Sequence, residues 1–561
     1  MLNVMKNIFL TIVFFLFKIH IVLATPMQGD YIVDQSGKGD FTSIKEAINT
    51  LVKRGVDSPT RILLNDGIYN EQITIPAIPG AKKGADITFC AKSEDYSKVV
   101  IEYLTNNPYN WVVDLNNTSY ITIRDITIKT LSKDYAGVIV IRNGSNNITM
   151  QSNKLIGADE VLKNQDNKSI VRTKSNNLNQ SDHNISFTDN ILVNGSNGIY
   201  LFTDDKLYAN KILIKDNTFI NQCKSAIKIN RGDDITCDGN HIKSVKSINF
   251  GINISESHRI NIQNNIINVC KNTDYLSSMN FFYGICIDRQ PYNSDTTLVY
   301  NNSISIKNSS SEVDNFAIML SNVKKCKVIH NSISLKSSSK FESCISLYSC
   351  KVIDIHNNIF INAGIGSIYN YKWTTKINSN NNNLYSDKGS YSLTDWSITS
   401  QSFEDWKRLF KCDENSTSVD PLFENDSILI LSKQSPESLK KGKNLNKYSP
   451  IDINGAVRSS IPWLGINERI SVVTKLNQNP TNMPYSIWPN PSSSIIHIDI
   501  GSVVLYNIDF FIIDLSGRII KTISYSKING TININVSDIK RGIYFIGHSH
   551  MKNSLKKIYI K

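Results

Sequence analysis

Short runs of alternating apolar and polar residues recur from about residue 120 to residue 383 of this 561-residue chain. Each run leads to a polar corner and a second apolar pair, as in YITIRDITI, RINIQNNII and VIDIHNNIF. Strands this short cannot bury an apolar face alone, but stacked coils can, with neighbouring strands about 4.8 Å apart. The pattern therefore predicts a solenoid. Because helical periodicity is absent from the repeats, its coils are predicted to consist of β-strands that stack in parallel.

The corner residue of the repeat is almost always asparagine. Asparagine tolerates the left-handed backbone conformation and can hydrogen-bond main-chain groups of the next coil. We therefore interpret these asparagines as structural residues that keep the coils in register. The corners lie some 23 to 37 residues apart, at Asp125, Asn153, Asn190, Asn217, Asn240, Asn265, Asn302, Asn331, Asn358 and Asn383.

An amphipathic helix is predicted before the repeats. Ser43 and Glu46 are typical of a capping box at a helix start. Apolar residues at helical spacing follow, at Ile44, Ala47, Ile48, Leu51 and Val52. The next segment, TRILLNDGIYNEQITIP, predicts a strand, an Asn-Asp-Gly turn and a second strand.

DFTSIKEAI at residues 40–48 and GIYNE at residues 67–71 resemble the N-terminal region of pectin-lyase-like proteins. The resemblance implies an all-β fold, a single-stranded right-handed parallel β-helix whose open end is closed by the N-terminal helix. We expect this domain to span residues 25–470. Its last part, YSPIDINGAVRSSIPWLGINE, resembles the closing segment of many exported β-helix proteins.

The first 24 residues predict export. Lys6 precedes an apolar run at residues 8–17, and Val22-Leu23-Ala24 provides a small-residue cleavage site. Lys18 and His20 interrupt the apolar run, which is therefore too short to span a bilayer. We expect a secretory signal peptide at residues 1–24 and no integral membrane span.

A Thr-, Asn- and Pro-rich linker at residues 471–484 leads to alternating strands at residues 485–561, which predict a small β-sandwich. Its motifs WPNP (488–491), DLSGR (514–518) and RGIYF (541–545) resemble those of the type A C-terminal sorting domain of the type IX secretion system. Members of that family usually have Tyr or Phe where Trp488 stands. The resemblance implies a bacterial protein that the type IX machinery translocates, and that is then released or attached to the outer-membrane surface.

The formal net charge of +12 suits an acidic polymer. However, the excess is spread over the whole chain, no run of five basic residues exists, and no nucleic-acid-binding motif is present. These features favour a polysaccharide partner over a nucleic acid. The nine cysteines form no CxxC pair and no zinc spacing, so we expect most of them to be small buried hydrophobic residues.

A second signal aligns six coils, in which a small residue precedes an apolar-x-apolar pattern, from GIYLFTD at residue 198 to CISLYSC at residue 344. The apolar pairs face inward, so the residues after them form outward columns. One predicted column is Phe202, Asn230, Ser255, Asp288, Ser321 and Tyr348. The next is Thr203, Arg231, Glu256, Arg289, Asn322 and Ser349.

This alignment brings together the four candidate catalytic residues, Arg231, Glu256, Asp288 and Arg289. In a structural interpretation, successive Arg, Glu and Arg rungs neutralise one another. In a catalytic interpretation, an arginine neutralises a substrate carboxylate beside an acid or base, as polysaccharide lyases require. Glu256 and Asp288 could instead serve as the carboxylate pair of a glycoside hydrolase. Signature motifs of pectin methylesterases and polygalacturonases are not found, and the interpretations stay open.

Aromatic residues on the outer face and in the insertions are candidates for substrate binding, because flat rings stack on the C–H groups of sugars. Insertions are expected around residues 154–184 and 270–298. The six candidates are Tyr200, Phe202, Tyr348, Tyr369, Tyr371 and Trp373.

No cofactor and no metal ligand set is predicted. Asp204, Asp205, Asp233 and Asp234 offer oxygen ligands for Ca²⁺, but the sequence does not assemble the roughly six or more that calcium takes. We expect a monomeric exported protein that binds an extracellular polysaccharide. The enzymatic hypothesis is that it also depolymerises this polysaccharide, as a lyase or glycoside hydrolase. The alternative is a non-catalytic glycan-binding adhesin or a structural surface protein.

Overall fold

The computed structural model describes residues 25–561 apart from several short segments. Contacts divide the chain into two compact units, Met1–Arg469 and Ile470–Lys561. The predicted signal peptide and the predicted linker at residues 471–484 lie outside the described residues. The segments not described are 1–24, 107–109, 135, 160–165, 175–180, 204–206, 246–247, 272–280, 309–312, 395–396, 470–485, 489–491, 493, 515–518, 549–550 and 561.

The chain consists almost entirely of short strands. Among the described residues the α-helices are α1 (Ile44–Arg54) and α2 (Phe403–Phe410), and short 3₁₀ turns lie at Asp166–Lys168 and Glu437–Leu439. The first strands are β1 (Met27–Val33), β2 (Val56–Leu64), β3 (Gly67–Asn70), β4 (Ile73–Ile75), β5 (Ile87–Ala91), β6 (Val99–Tyr103), β7 (Val113–Asn116), β8 (Ser119–Arg124), β9 (Thr127–Thr130), β10 (Ile139–Arg142), β11 (Asn146–Gln151), β12 (Lys154–Ile156), β13 (Val171–Lys174), β14 (His183–Thr188), β15 (Ile191–Val193), β16 (Asn197–Phe202), β17 (Ala209–Lys215), β18 (Thr218–Ile220), β19 (Ser225–Asn230), β20 (Gly232–Asp238) and β21 (His241–Ser244). The others are β22 (Phe250–Ser255), β23 (Ile260–Gln263), β24 (Ile266–Lys271), β25 (Phe281–Asp288), β26 (Thr297–Tyr300), β27 (Ser303–Asn308), β28 (Asp314–Ser321), β29 (Lys325–Ile329), β30 (Ser332–Ser337), β31 (Ser343–Tyr348), β32 (Val352–His356), β33 (Ile359–Asn362), β34 (Ser367–Lys372), β35 (Lys376–Asn380), β36 (Asn383–Ser386), β37 (Ser390–Thr394), β38 (Ser397–Ser400), β39 (Ser486–Trp488), β40 (Ile495–Ile513), β41 (Ile519–Asn535), β42 (Gly542–His548) and β43 (Met551–Ile560).

In the first unit, successive strands belong to three long parallel sheets. Sheet A runs from β1 through β2, β5 and every third strand to β35, and sheet B runs from β3 through every third strand to β36. Sheet C runs from β4 through every third strand to β37, with β38 added antiparallel at its end. The predicted right-handed parallel β-helix is confirmed. It begins at β1, well before residue 120, because the less regular first coils also stack on one another.

Apolar residues of all three sheets fill the interior as one continuous core. Six of the nine cysteines, including Cys237 and Cys326, belong to the buried residues, as expected for small hydrophobic side chains. The burial alternates along most strands, as in Ile185–Ser186–Phe187 of β14. The outer faces of the sheets are therefore free to vary in sequence without disturbing the core.

Helix α1 covers the first coil. The Ser43 hydroxyl accepts a hydrogen bond from the Glu46 N–H at 3.2 Å, as a capping residue does. The Glu46 carboxylate accepts from the N–H of Thr42, one residue before the position expected of a capping box. The predicted inner face is buried except at Val52, which is 38% exposed.

The asparagines between sheets A and B form a ladder. From Asn153 to Asn358, the N–H and side-chain amide of each member both donate to the Oδ1 of the next member, at 2.9–3.1 Å. We name this the asparagine ladder, with members Asn153, Asn190, Asn217, Asn240, Asn265, Asn302, Asn331, Asn358 and Asn382. The structural interpretation of the corner asparagines is therefore confirmed.

Two details of that prediction are wrong. The first corner position is Ile126 and not Asp125, because the Ile126 N–H donates to Asn153 Oδ1. The last is Asn382 and not Asn383, because the Asn358 N–H donates to Asn382 Oδ1. The left-handed conformation is adopted by the residue before each ladder position, with φ of +58° at Asp125 and +55° at Asn264, and not by the ladder asparagine itself. The ladder side chain is thus free to point inward and bond its neighbour.

The segment after β38 closes the solenoid unit. In α2 the Trp406 ring stacks on Tyr369 at 4.3 Å and 8°, so the helix packs directly on the core. The chain then runs back along sheet B, where Trp463 and Leu464 pack with Ile359 and Ile361 of β33. The second unit is an antiparallel sheet in which β40 pairs with β39, β41 and β42, and β43 pairs with β42. It has its own apolar core.

Candidate functional site

The outer face of sheet C brings the predicted columns together. In the strand pairing, Phe202 lies opposite Asn230, which is followed in order by Ser255, Asp288, Ser321 and Tyr348. This is the predicted first column, with no slip in register. The alternation of inward apolar residues fixes it, since a shift of one residue would expose the core face.

The second predicted column follows directly after these strands. Arg231, Glu256 and Arg289 have φ of +61°, +50° and +50°, and their N–H groups donate to the carbonyl oxygens of Ser255, Asp288 and Ser321. A left-handed residue therefore turns the chain out of sheet C on each of these coils. It also places the three charged side chains on successive rungs.

These side chains form a charged ladder, which we define as Arg231, Glu256, Asp288 and Arg289. Arg231 Nη2 lies 2.7 Å from Glu256 Oε2, and Arg289 Nη1 lies 3.0 Å from Glu256 Oε1. Arg289 Nε also donates to Asp288 at 2.8 Å. All four predicted catalytic residues are thus brought together, and each carboxylate is held by at least one arginine.

The candidate calcium ligands are only partly described. Asp204 and Asp205 lie outside the described residues, and Asp233 is paired with Arg259 at 2.8 Å. Asp234 has a φ of +60° at the start of β20. Within the described ranges, no group of three or more His, Cys, Asp or Glu side chains could hold a metal ion. The expectation that the chain has no metal ligand set stays a prediction.

The aromatic candidates Tyr200 and Phe202 lie in a mixed aromatic and basic cluster on the first half of sheet C. Their ring centroids are 5.1 Å apart, and Lys228 Nζ lies 4.1 Å from the centre of the Tyr200 ring. Arg172, Tyr200 and Lys228 occupy the same outward position on adjacent strands β13, β16 and β19. We call Arg172, Tyr200, Phe202 and Lys228 the sheet C patch.

The charged groups of the sheet C patch differ in whether they have partners. Asp166 lies 3.2 Å from Lys228 Nζ and 2.7 Å from Lys224 Nζ. Burial opposes ionisation of Asp166, but these two lysines outweigh it and lower the pKa of the carboxyl. Arg172 Nε, in contrast, is buried without a hydrogen-bond partner among the described residues, and burial lowers the pKa of the guanidinium. A donor in that state gains a full hydrogen bond when an acceptor approaches.

Sequence reasoning missed Arg172 and Lys228. Arg172 belongs to IVRT, which aligns with GIYL of the next coil, but isoleucine replaces the small residue and threonine replaces the second apolar residue. Arg172 was overlooked because residues 154–184 are interpreted as an insertion, whereas residues 171–174 form strand β13 of sheet C. Lys228 is the central residue of AIKIN and could have been found from the alignment itself.

The remaining aromatic candidates separate into two pairs. Tyr348 and Trp373 are accessible: their centroids are 5.2 Å apart, and Trp373 is 67% exposed. Tyr369 is completely buried and cannot contact a bound glycan. Tyr371 lies against Phe410 of α2 at 5.1 Å and packs on the core. The substrate-binding prediction is therefore wrong for Tyr369, and Tyr371 serves packing, because both occupy inward positions of β34, opposite Ile345 and Leu347.

The C-terminal unit matches a known family. Residues 486–561 match the model of the secretion system C-terminal sorting domain. This agrees with the resemblance seen in its motifs, although residues 489–491 and 515–518 of two motifs lie outside the described residues. In the parts of the chain that the structure describes, no helix has both the length and the apolarity to cross a bilayer.

The solenoid resembles several solved structures at low sequence identity. A pectin methylesterase from Aspergillus niger is 11% identical, covering 72% of this chain and 95% of the other, with a TM-score of 0.26. The lacto-N-biosidase of family GH136 from Eubacterium ramulus is 12% identical, covering 65% and 68%, with a TM-score of 0.38. The Streptococcus pneumoniae surface protein and adhesin PfbA is 13% identical, covering 62% and 94%, with a TM-score of 0.33.

None of the curated proteins compared with the chain matches it. The sorting domain nevertheless settles where the protein acts, since the type IX system delivers its cargo across the bacterial outer membrane. The chain is therefore a bacterial β-solenoid protein with a type IX C-terminal sorting domain, secreted or attached to the cell surface.

Proposed function

We propose that this protein binds an extracellular polysaccharide along the outer face of sheet C. The observation that carries the proposal is the sheet C patch, where Arg172, Tyr200 and Lys228 take the same outward position on three successive strands. Phe202 extends the aromatic surface. Rings beside cationic donors suit a sugar polymer, because the rings stack on sugar C–H groups while the cations bond its oxygen atoms.

The shape of the face fits a polymer. Strands about 4.8 Å apart repeat the same outward positions along the solenoid. A chain molecule lying across the strands would meet a similar position on every rung. The side chains on those positions are held by regular backbone pairing, so little ordering entropy is lost when a ligand binds.

The charged ladder favours binding without turnover. Glu256 already accepts from two arginines, and Asp288 accepts from one of the same two. A general base must reach a proton of the substrate, and both carboxylate oxygens of Glu256 already bond guanidinium groups. The predicted lyase or hydrolase activity stays a prediction, and the ladder itself fits the structural interpretation.

The test is a binding screen of the secreted protein on acidic and neutral polysaccharides, with turnover followed in parallel. We expect retention on at least one polymer, with no unsaturated product and no new reducing ends. Tyr200→Ala should weaken that retention about tenfold, since a lost stacked ring costs on the order of 1–2 kcal/mol. Val245→Ala, at an exposed apolar residue just after strand β21 of sheet B, serves as control. Failure of the protein to bind any polymer, or unchanged binding by Tyr200→Ala, would overturn the proposal.

A further inference from the structure

Two lysines stand on adjacent rungs at the corner where sheet C turns into sheet A. Lys324 is the residue immediately before β29, and Lys351 is the residue immediately before β32. The Val352 N–H donates to the Lys324 carbonyl oxygen at 3.1 Å. Lys325 and Lys376 extend the basic surface on the strands beside them. We call Tyr292, Lys324 and Lys351 the lysine corner.

An exposed aromatic ring holds the two ammonium groups together. Lys351 Nζ lies 4.5 Å and Lys324 Nζ 5.8 Å from the centre of the Tyr292 ring, which is 75% exposed. Cation–π attraction keeps both ammonium groups near the same ring. The side chains are thereby arranged before any ligand arrives.

The lysine corner differs in charge balance from the charged ladder beside it. In the charged ladder, every arginine faces a carboxylate. In the part of the chain that the structure describes, neither Lys324 nor Lys351 has a carboxylate within ion-pair distance. The nearby acids Asp288 and Asp354 bind Arg289 and Lys327 instead. An anion bound near both ammonium groups would therefore be attracted without having to displace a protein carboxylate.

A second exposed ring lies on the neighbouring rung. Trp373 follows β34, and Lys372 Nζ lies 4.2 Å from its ring. The Thr375 N–H donates to the Cys350 carbonyl oxygen at 2.9 Å, so this turn stacks directly on the turn that carries Lys351. The exposed rings Tyr292 and Trp373 therefore lie on turns of this corner that also carry Lys324 and Lys351 or stack directly on them.

We propose that the lysine corner binds the anionic groups of an acidic polysaccharide. Carboxylate or sulfate groups would lie between Lys324 and Lys351, while the sugar rings pack on Tyr292 and Trp373. This rests on the proposed function for the ligand class, a polysaccharide, but it uses different residues and adds that the polymer is anionic. A saccharide is favoured over a nucleic acid because the protein is exported and carries no nucleic-acid-binding motif.

The test measures the affinity of the full secreted chain for polygalacturonate, alginate, neutral dextran and duplex DNA at rising NaCl concentration. The doubly substituted Lys324→Gln, Lys351→Gln protein is compared with Lys82→Gln, Lys83→Gln, which removes the same charge from an exposed pair outside sheet C. We expect the first variant to lose about tenfold in affinity for an acidic polymer and the second less than about twofold. Tyr292→Ala should lose about threefold. Binding of wild type should weaken with salt.

Three results would overturn the lysine corner proposal. These are equal losses in the two double variants, tighter binding to DNA than to either acidic polysaccharide, and salt-independent binding that dextran matches. The Tyr200→Ala variant separates this from the proposed function. If it loses affinity while the lysine variants do not, the sheet C patch binds a polysaccharide and the lysine corner does not.

Discussion

Asn240 donates two hydrogen bonds to one atom of Asn265: its main-chain N–H and its side-chain amide lie 3.0 and 2.9 Å from Asn265 Oδ1. The Asn265 amide in turn donates to the Cys237 carbonyl oxygen at 2.9 Å. Both side chains are fully buried. The Asn265 side chain therefore satisfies two main-chain groups of the preceding coil, at a corner where no sheet hydrogen bond is available.

Asn265→Ala is predicted to lower the free energy of unfolding by about 3 kcal/mol, because it leaves buried donors and an acceptor on neighbouring coils without partners. Urea unfolding followed by circular dichroism measures the change. Asn293→Ala, at an exposed loop position, is the control and should change the midpoint little. Equal midpoints for the two variants would show that the asparagine ladder does not hold the coils together.

Glu342 gives the solenoid a pH dependence near neutrality. It is fully buried, and neither carboxylate oxygen accepts a well-formed hydrogen bond among the described residues. Burial raises the pKa of its carboxyl to about 7. Ser337 and Asn315 lower this pKa by less than burial raises it, and the charge of Asp314 raises it further. In the window between the ordinary value of 4.5 and about 7, the folded chain keeps a proton that the unfolded chain has lost. The stability from this group is therefore full below pH 4.5 and is lost as the pH rises through 7.

Glu342→Gln removes that dependence because the amide does not titrate. Relative to wild type, the variant should gain about 3 kcal/mol between pH 4.5 and pH 8. Thermal unfolding at a series of pH values measures the difference in stability between the two proteins. Burial raises the pKa of Asp182 to about 6, but this residue is present in both proteins and its contribution cancels. Glu404→Gln, at an exposed helical residue, is the control. Parallel pH profiles for wild type and Glu342→Gln would contradict the prediction.

Arg458 fastens the returning segment to the solenoid. Its fully buried guanidinium donates to Asn301 Oδ1 at 2.7 Å and to the Gly465 carbonyl oxygen at 3.1 Å, and pairs with Glu468 at 3.2 Å. Arg458→Met should destabilise the unit by about 3–5 kcal/mol, since Glu468 is left as a buried charge. Arg408→Met removes an exposed partner of Asp405 and should cost less than about 1 kcal/mol. Limited proteolysis of residues 411–469 gives a second readout, and equal cleavage rates in both variants would refute the assignment.

Glu256→Gln tests whether the charged ladder neutralises itself. The change removes the negative charge of the carboxylate that Arg231 and Arg289 share. Affinity for an acidic polysaccharide should therefore rise about threefold, with a steeper salt dependence. The matched charge change in Glu404→Gln should leave affinity unaltered. If wild type degrades the polymer and Glu256→Gln does not, Glu256 is a catalytic base and the structural interpretation of the ladder fails.

The stacking of coils could be predicted because core alternation and corner asparagines repeat in nearly every coil. Exact corner positions could not: Asp125 and Asn382 lie at the ends of the asparagine ladder, where the repeat meets Ile126 and the Ser416 hydroxyl instead of another asparagine. Tyr369 could have been assigned correctly, because SIYNY continues the inward alternation of the earlier coils. Its partner Trp406 comes from a helix outside the repeat, and sequence alone does not pair them.

The candidate site on sheet C could be predicted from the sequence only in part, for a related reason. The charged ladder follows from strand register, which the alternation fixes. The sheet C patch depends also on Asp166, which reaches Lys224 and Lys228 from a 3₁₀ turn outside the repeat. A contact that depends on an irregular segment carries no periodic signal, so that neutralisation could not be predicted. The same holds for Arg172 Nε, which has no hydrogen-bond partner in the part of the chain that the structure describes.

The most direct test of polysaccharide binding on sheet C is calorimetric titration of the secreted protein with the polymer found in the screen. Wild type is compared with the double variant Tyr200→Ala, Phe202→Ala and with Val245→Ala, which should also have the wild-type melting temperature. Loss of about tenfold or more in affinity in the double variant, with Val245→Ala unchanged, is the predicted result. Wild-type affinity in a folded double variant would contradict the account.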